Sequence, residues 1–239
     1  MNQLKRSRTL TELAANRIRK AIIDNEYKLG EPLSESLLAN SMGTSKTPIR
    51  EALALLKIEG LVNIFPQKGT FVFTLSLLEV KQLIEIRFIL ESAAIKLAFS
   101  NNREKLLEAL SENLMNMENS LRVNDINEYL THDSRFHECF FTLCENHYLS
   151  DAYSHIIAIS SALRTRVSHQ PNHTNKTFEE HQILYNFITK GELEKALEVL
   201  HYHFSSFEKL YATYCDQITT SHFSSTRKNR QSHKDERGD

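Results

Sequence analysis

The sequence predicts a mainly helical protein with a small two-stranded sheet near its N-terminus. Three observations carry that expectation. Glycine and proline are scarce, with 6 and 4 copies in 239 residues, and sheet-rich chains need more turn residues than that. After Leu75 the apolar residues recur at helical rather than alternating spacing. Before it, two short apolar runs, LVNIF at 61–65 and TFVFT at 70–74, flank Pro66, Gln67, Lys68 and Gly69 and read as a hairpin.

The elements follow in order. A first helix is expected from about Thr9 to Asn25, on Leu10, Leu13, Ala14, Ile18, Ala21 and Ile22. Gly30 and Pro32 break the chain. Ser34 then caps a short helix from Glu35 to Met42, Gly43 turns it, and Ser45 caps a third helix that lasts to Gly60. Pro48 fits that third helix because it falls in the first turn, where its missing N–H is not needed. Beyond the hairpin, Ser76 and Glu79 form a capping box that opens a helix to about Phe99. Further helices are expected at 103–123, from the Asp125/Glu128 box to about Glu145, at 148–168, at 176–189 and at 192–217, with Gly191 as the hinge of the last pair. The chain thus divides into residues 1–75, an all-helical body at 76–217, and a polar tail at 218–239. The tail has no apolar anchor and is expected to be disordered.

Apolar residues make up 41% and charged residues 25% of the chain, the balance of a globular domain that can bury a core. No run of eighteen apolar residues exists, and no apolar segment follows the basic N-terminus, which excludes a membrane span and a secretion signal. Cys139, Cys144 and Cys215 form no CxxC pair, as expected for reduced thiols in a cytoplasmic protein. Charge is uneven. Residues 1–75 hold 11 basic and 7 acidic side chains, whereas residues 76–220 hold 13 and 20. A basic head on an acidic body suggests that the head alone meets a polyanion.

Helix, helix, turn, helix and a two-stranded wing is the order of a winged helix-turn-helix, whose third helix enters the major groove of double-stranded DNA by its N-terminal residues. Here those are Thr44 to Arg50. Lys46 and Arg50 lie four apart on one face, and both can donate to guanine or to phosphate. Ser45 and Thr47 suit phosphate oxygens. Lys68, at the wing tip, is within reach of the backbone or minor groove. Ile49, Leu53 and Leu56 lie on the opposite side and hold the helix to its core. The reading is a DNA-binding transcription regulator rather than an enzyme. No Ser/His/Asp or Cys/His set is legible. A di-iron bundle would need two Glu-x-x-His motifs, and only Glu198 with His201 makes one.

The stretch LGEPLSESLLANSMGTSKTPIREALALLKIEGLVNIFPQKGTFV, from Leu29 to Val72, resembles the GntR family of bacterial regulators. The matches include Gly30, Leu33, Ser34, Glu35, Gly43, Ser45, Thr47, Pro48, Arg50, Glu51, Ala52, Gly60 and Gly69. The resemblance implies that Lys46 and Arg50, with the wing near Gln67 and Lys68, contact operator DNA. Two positions depart from the family pattern. Lys46 stands where arginine is usual, which loses the bidentate fork, and Thr44 stands where valine is usual.

In the body, Asp133 and His137 are four apart on one helix and point the same way. His181 lies ten residues before Gly191 and His203 twelve after it. At helical rise those are ~15 and ~18 Å from the turn, so an antiparallel hairpin brings the two imidazoles level. One carboxylate and three histidines suit Zn²⁺, Ni²⁺ or Mn²⁺. By spacing alone, chance pairing among 11 histidines and a surface ion pair stay open. Residues 76–217 also resemble the all-helical FCD ligand-binding domain of the FadR-type branch, on Ile86-Arg87 through Leu90-Glu91, His132-Asp133 with Phe136-His137, Asn146, Leu149, Glu180-His181, Ala196 and His203. That resemblance implies Asp133, His137, His181 and His203 as metal ligands and a small effector that modulates operator binding, with repression the family's commoner mode; a homodimer is expected because one recognition helix reads too few bases. Arg87, mid-helix among apolar neighbours, is a candidate for an effector carboxylate, and Arg164 is a second. For each the alternative is a structural ion pair, for example with Glu91. A regulator with a metal-free, wholly apolar pocket for an acyl chain is the remaining alternative.

Overall fold

A computed structural model describes residues 9–168, 170 and 173–235, with side chains through Cys215. The first helix, α1, spans Leu10–Ile23 and begins on a capping box in which Thr9 and Glu12 satisfy each other's backbone N–H groups. Its inward face is Ala14, Ala15, Ile18, Ala21 and Ile22. Leu10 and Leu13, expected inside, are exposed, because the first turn projects past the core. A two-residue strand, β1 (Pro32–Leu33), follows, and then α2 (Glu35–Ser41) with Ser34 accepting from the Leu37 N–H. Gly43, at φ +61°, makes the turn into α3 (Lys46–Ile58). Ser45 is the N-cap residue of α3 by backbone conformation, but its side chain makes no capping hydrogen bond and stays exposed. Ile49, Ala52, Leu53 and Leu56 are buried, as their spacing predicts.

The hairpin pairs β2 (Val62–Phe65) with β3 (Gly69–Val72) in antiparallel register, Val62 opposite Val72 and Phe65 opposite Gly69. The Lys68 N–H closes the turn on the Phe65 carbonyl at 3.2 Å. Gln67 takes φ +63° there, so Pro66 and Gln67 occupy the central positions of a type II pattern. The sheet has three strands, not two. β1 adds to the outer edge of β3, giving the order β1-β3-β2. A two-residue strand carries no period for sequence reasoning to detect.

Beyond Ser76, α4 runs over Leu77–Arg122 where two helices were expected. The expected break survives as a kink: Asn102 has φ −143° and ψ 44°, and its side-chain amide donates to the Leu143 carbonyl and to Glu145. α5 (Ile126–Leu143), α6 (His147–Val167), α7 (His173–Lys190) and α8 (Leu193–Asp235) complete the body. Asp125 caps α5 through the Glu128 N–H. Gly191, at φ +77°, turns α7 into α8 as an antiparallel hairpin. The backbone of α8 continues through Asp235, across most of the segment expected to be disordered. No glycine or proline interrupts residues 192–237, so no breaker stops the helix. The body core gathers Ile95, Leu106, Leu110, Met117, Phe136, Phe140, Leu163, Ile188 and Leu200. No helix among the described residues is long and apolar enough to cross a membrane.

The first helix of the body opens on a capping box. The Ser76 hydroxyl accepts from the Glu79 N–H, and the Glu79 carboxylate accepts from the Ser76 N–H at 2.7 Å. Ser76→Ala is expected to destabilise the protein by about 1 kcal/mol, read as a lowered melting temperature with the circular dichroism spectrum unchanged. A variant as stable as the parent would show that α4 does not depend on this cap.

Candidate nucleic-acid interface and candidate metal centre

The head presents its expected contact residues on open surface. Ser45, Lys46, Thr47 and Arg50 are exposed on the first turns of α3, and Gln67 and Lys68 are exposed at the wing tip. Arg50 is engaged without DNA: its Nε donates to Glu35 Oε2 on α2 at 2.6 Å. Both groups are partly in water, so this pair is weak and exchangeable for a base or phosphate. Behind this face, Arg19 of α1 makes a two-pronged contact with Glu59 after α3, Nε to Oε2 at 2.7 Å and Nη2 to Oε1 at 2.6 Å. It ties α1 to the end of α3.

In the body, three helices converge on a cluster of polar groups. α5 supplies Asp133 and His137, α7 supplies His181, and α8 supplies His203. The ligand atoms of the three histidines lie within 4.8 Å of one another. The hairpin at Gly191 does bring His181 and His203 level, with ring centroids 4.9 Å apart. The Nε2 atoms of His137 and His181 face each other at 3.2 Å. Asp133 stands beside this group rather than inside it. Its Oδ1 is 3.7 Å from His181 Nδ1, and its Oδ2 forms a charge pair with Arg164 at 2.5 Å.

Two carboxylates that sequence reasoning did not assign orient the imidazoles. Glu91 on α4 sits 2.6 Å from His137 Nδ1, and Glu180 on α7 sits 2.8 Å from His203 Nδ1. Each leaves Nε2 for a metal, the usual arrangement of a ligating histidine backed by a carboxylate. The available signals were Glu91 four residues after Arg87 and Glu180 next to His181. Neither has meaning until the helices are packed.

Burial pushes the imidazoles of His137 and His181 well below their ordinary range, so both are neutral and carry a free lone pair. Burial alone would raise Asp133, but Arg164 and the neighbouring histidines outweigh it and hold the carboxyl well below the usual range. Asp133 Oδ1 and His181 Nδ1 are buried without a hydrogen-bond partner among the described residues. Buried polar atoms without partners are costly, and here they surround ring nitrogens already gathered together. This donor set of imidazole with adjacent carboxylate fits a divalent ion of borderline softness.

Arg87 and Arg164 take the ion-pair alternatives. Arg87 donates from Nε and Nη2 to Glu91 Oε1, at 3.1 and 2.7 Å, and lies over the Phe204 ring. Burial would discharge it, and the Glu91 carboxylate beside it keeps it charged. Arg164 pairs with Asp133 rather than with Glu91 and also donates to Ser134 and Ser161. Both arginines nevertheless line a cavity of about 240 Å³, with His173, Lys176, Thr177, Glu180, His203 and Phe204 among its other walls. His173 is pushed down to about 4 by burial and is neutral.

A three-helix head with a β wing, joined to a helical body around a cluster of histidines, defines a DNA-binding regulator. Residues 10–72 match the family described as "Bacterial regulatory proteins, gntR family", and residues 82–206 match the "FCD domain". The chain belongs to the GntR family and carries an FCD domain; it is a transcription regulator and not an enzyme. Among its relatives, the HTH-type transcriptional regulator YdhC of Bacillus subtilis is 27% identical over 192 residues, covering 80% of this chain and 85% of that protein. The gluconate operon transcriptional repressor of Bacillus licheniformis is 24% identical over 196 residues, 80% of each chain. A GntR regulator structure from Rhodococcus sp. RHA1 superposes with a TM-score of 0.75 at 20% identity, covering 85% of this chain and 97% of that one, and shares the fold.

Proposed function

We propose that this regulator is a cytoplasmic, homodimeric operator-binding repressor. Its body holds one divalent ion, Zn²⁺, Ni²⁺ or Mn²⁺, and senses a small organic acid beside it. The observation that carries the reading is the buried cluster of His137, His181 and His203 opening beside a cavity whose walls include Arg87, Arg164 and Lys176. Asp133, which stands beside the cluster and pairs with Arg164, would complete the ligand set by turning one oxygen toward the ion. An ion there would act as a Lewis-acid anchor for a carboxylate oxygen. The arginines would bind the rest of the acid in exchange for part of their present ion pairs. The cavity, at about 240 Å³, is smaller than ordinary drug-sized pockets of roughly 300–1,000 Å³, which favours a small acid over an acyl chain. Repression has support in the relatives named as gluconate operon repressors. Dimerisation follows from recognition, since a single groove-reading helix reads too few bases and two half-sites supply the rest.

The head is tested by Arg50→Ala. With Ser45, Lys46 and Thr47 on α3 and Gln67 and Lys68 on the wing, Arg50 would form the DNA-contacting surface. Its loss is expected to cost about 1–3 kcal/mol of operator affinity in a mobility-shift titration, with folding intact. A folded variant that shifts operator DNA like the parent would refute this docking. The body is tested by a thermal-shift screen against small carboxylic acids, with and without chelator. Stabilisation by an acid only when metal is present is the expected result. Stabilisation by fatty acids alone would favour the metal-free apolar pocket.

A further inference from the structure

The contacts that join head and body converge on one helix, α6. Arg166, in its last turn, is buried, with 4% of its surface exposed. A buried guanidinium ordinarily has a carboxylate partner, yet no carboxylate pairs with Arg166 among the described residues. Its partners are main-chain carbonyls. Nη1 donates to Ala162 O at 2.6 Å on its own helix and to Ile22 O at 3.2 Å, and Nη2 donates to Tyr27 O at 3.0 Å. Ile22 lies in the last turn of α1, at the negative end of its dipole, and its carbonyl also accepts from the Asn25 N–H at 3.2 Å. The body thus supplies the cation that caps a helix of the head.

Seven residues earlier on the same face of α6, Ile159 stands against Gly60, just after α3. A Cβ placed on Gly60 would come within 2.8 Å of the Ile159 Cδ1 atom. One helix face therefore meets the head at the end of α1 and at the end of α3, the two helices that Arg19 and Glu59 tie together. Arg164, two residues before Arg166, is the partner of Asp133 in the candidate metal centre.

We infer that Arg166 is a positioning residue for DNA recognition: it fixes the groove-reading head at a set angle on the body, so that paired heads fit one half-site spacing. The pairing of heads rests on the dimer proposed above; the mounting role of Arg166 does not. Without the guanidinium the head would stay folded on its own core, but its orientation would no longer be set.

The test uses the full-length protein as Arg166→Met, which removes the donors at similar volume, and Arg166→Lys, which keeps the charge but has one donor group. Hydrogen–deuterium exchange is followed in peptides covering 20–31 and 73–76 and in α5 and α7. Losing two hydrogen bonds to a charged group is expected to speed exchange at the end of α1 by about tenfold or more in Arg166→Met, less in Arg166→Lys, with α5 and α7 unchanged. DNA binding is then measured on a fragment that the parent protein selects from a random library, and on versions with the half-sites moved apart by one to five base pairs. The parent is expected to discriminate against altered spacing, and Arg166→Met to lose that discrimination while keeping its affinity for a single half-site. Exchange like the parent's at 20–31, or exchange raised equally through α5 and α7, would overturn the assignment, as would spacing discrimination retained by Arg166→Met. A parent protein that is monomeric and indifferent to spacing would sink the dimer instead, and the exchange result then decides for Arg166 alone.

Discussion

Stripping divalent metal from the purified protein is expected to lower its melting temperature by roughly 5–15 °C. The proposed ligands Asp133, His137, His181 and His203 come from three different helices, so an ion bound to them would hold α5, α7 and α8 together. A ligand that binds the folded state alone stabilises it by about 2.7 kcal/mol at a hundredfold excess over Kd and about 4.1 at a thousandfold. For a chain of this size each kcal/mol corresponds to about 2–4 °C. His203→Ala should reproduce the effect and make the protein insensitive to chelator. Re-addition of Zn²⁺, Ni²⁺ or Mn²⁺ should restore the parent and not the variant. Operator binding should suffer less than the response to an effector, because the head supplies no residue to the cluster. Elemental analysis finding no stoichiometric metal, in protein purified without chelator or metal-affinity tag, would remove the centre and leave the acid to the arginines alone.

Glu91→Ala is expected to be at least as damaging, though Glu91 is itself no ligand in the proposed set. Its two oxygens divide their work: Oε1 accepts from Arg87 and Oε2 faces His137 Nδ1, all of them buried. Removing one partner of a buried pair leaves an uncompensated charge and costs about 3–5 kcal/mol. It also frees the His137 ring to change tautomer, and loss of such a support typically weakens metal affinity about 10–100-fold. Glu91→Gln separates the two effects. It keeps the volume and one acceptor, so it should recover part of the stability while metal affinity stays reduced. Thermal unfolding together with metal titration reads both. A Glu91→Ala protein that melts and binds metal like the parent would show that Arg87 and His137 have other support.

Much of this was legible because it is local. The capping box at Ser76, the cap at Asp125, the turn at Gly43 and the glycine between α7 and α8 depend on groups a few residues apart, and short-range sequence carries them. The helical face of α3 was equally legible, since Ile49, Leu53 and Leu56 bury as their period requires. The histidine pair across the hairpin could be placed by counting, because helical rise converts residue number into distance. The strand β1 was not legible, being too short to have a period, nor was the continuation of the helix through the kink at Asn102, which side-chain bonds to Leu143 and Glu145 hold in place.

By itself the sequence determined the two-part architecture, the candidate DNA-contacting residues of α3 and the wing, and the four residues that the body contributes as candidate ligands. Each of these follows from spacing along one chain segment or from the pattern of one family. Only the tertiary structure decided the partners. It set Glu91 behind His137 and Glu180 behind His203, matched Arg164 to Asp133 rather than to Glu91, engaged Arg50 with Glu35, and put a cation of the body on the end of a head helix. The reason is physical: a buried charge takes whichever opposite charge, dipole or carbonyl the packing brings within about 3 Å, and for Arg166 those carbonyls lie 139 and 144 residues away in sequence.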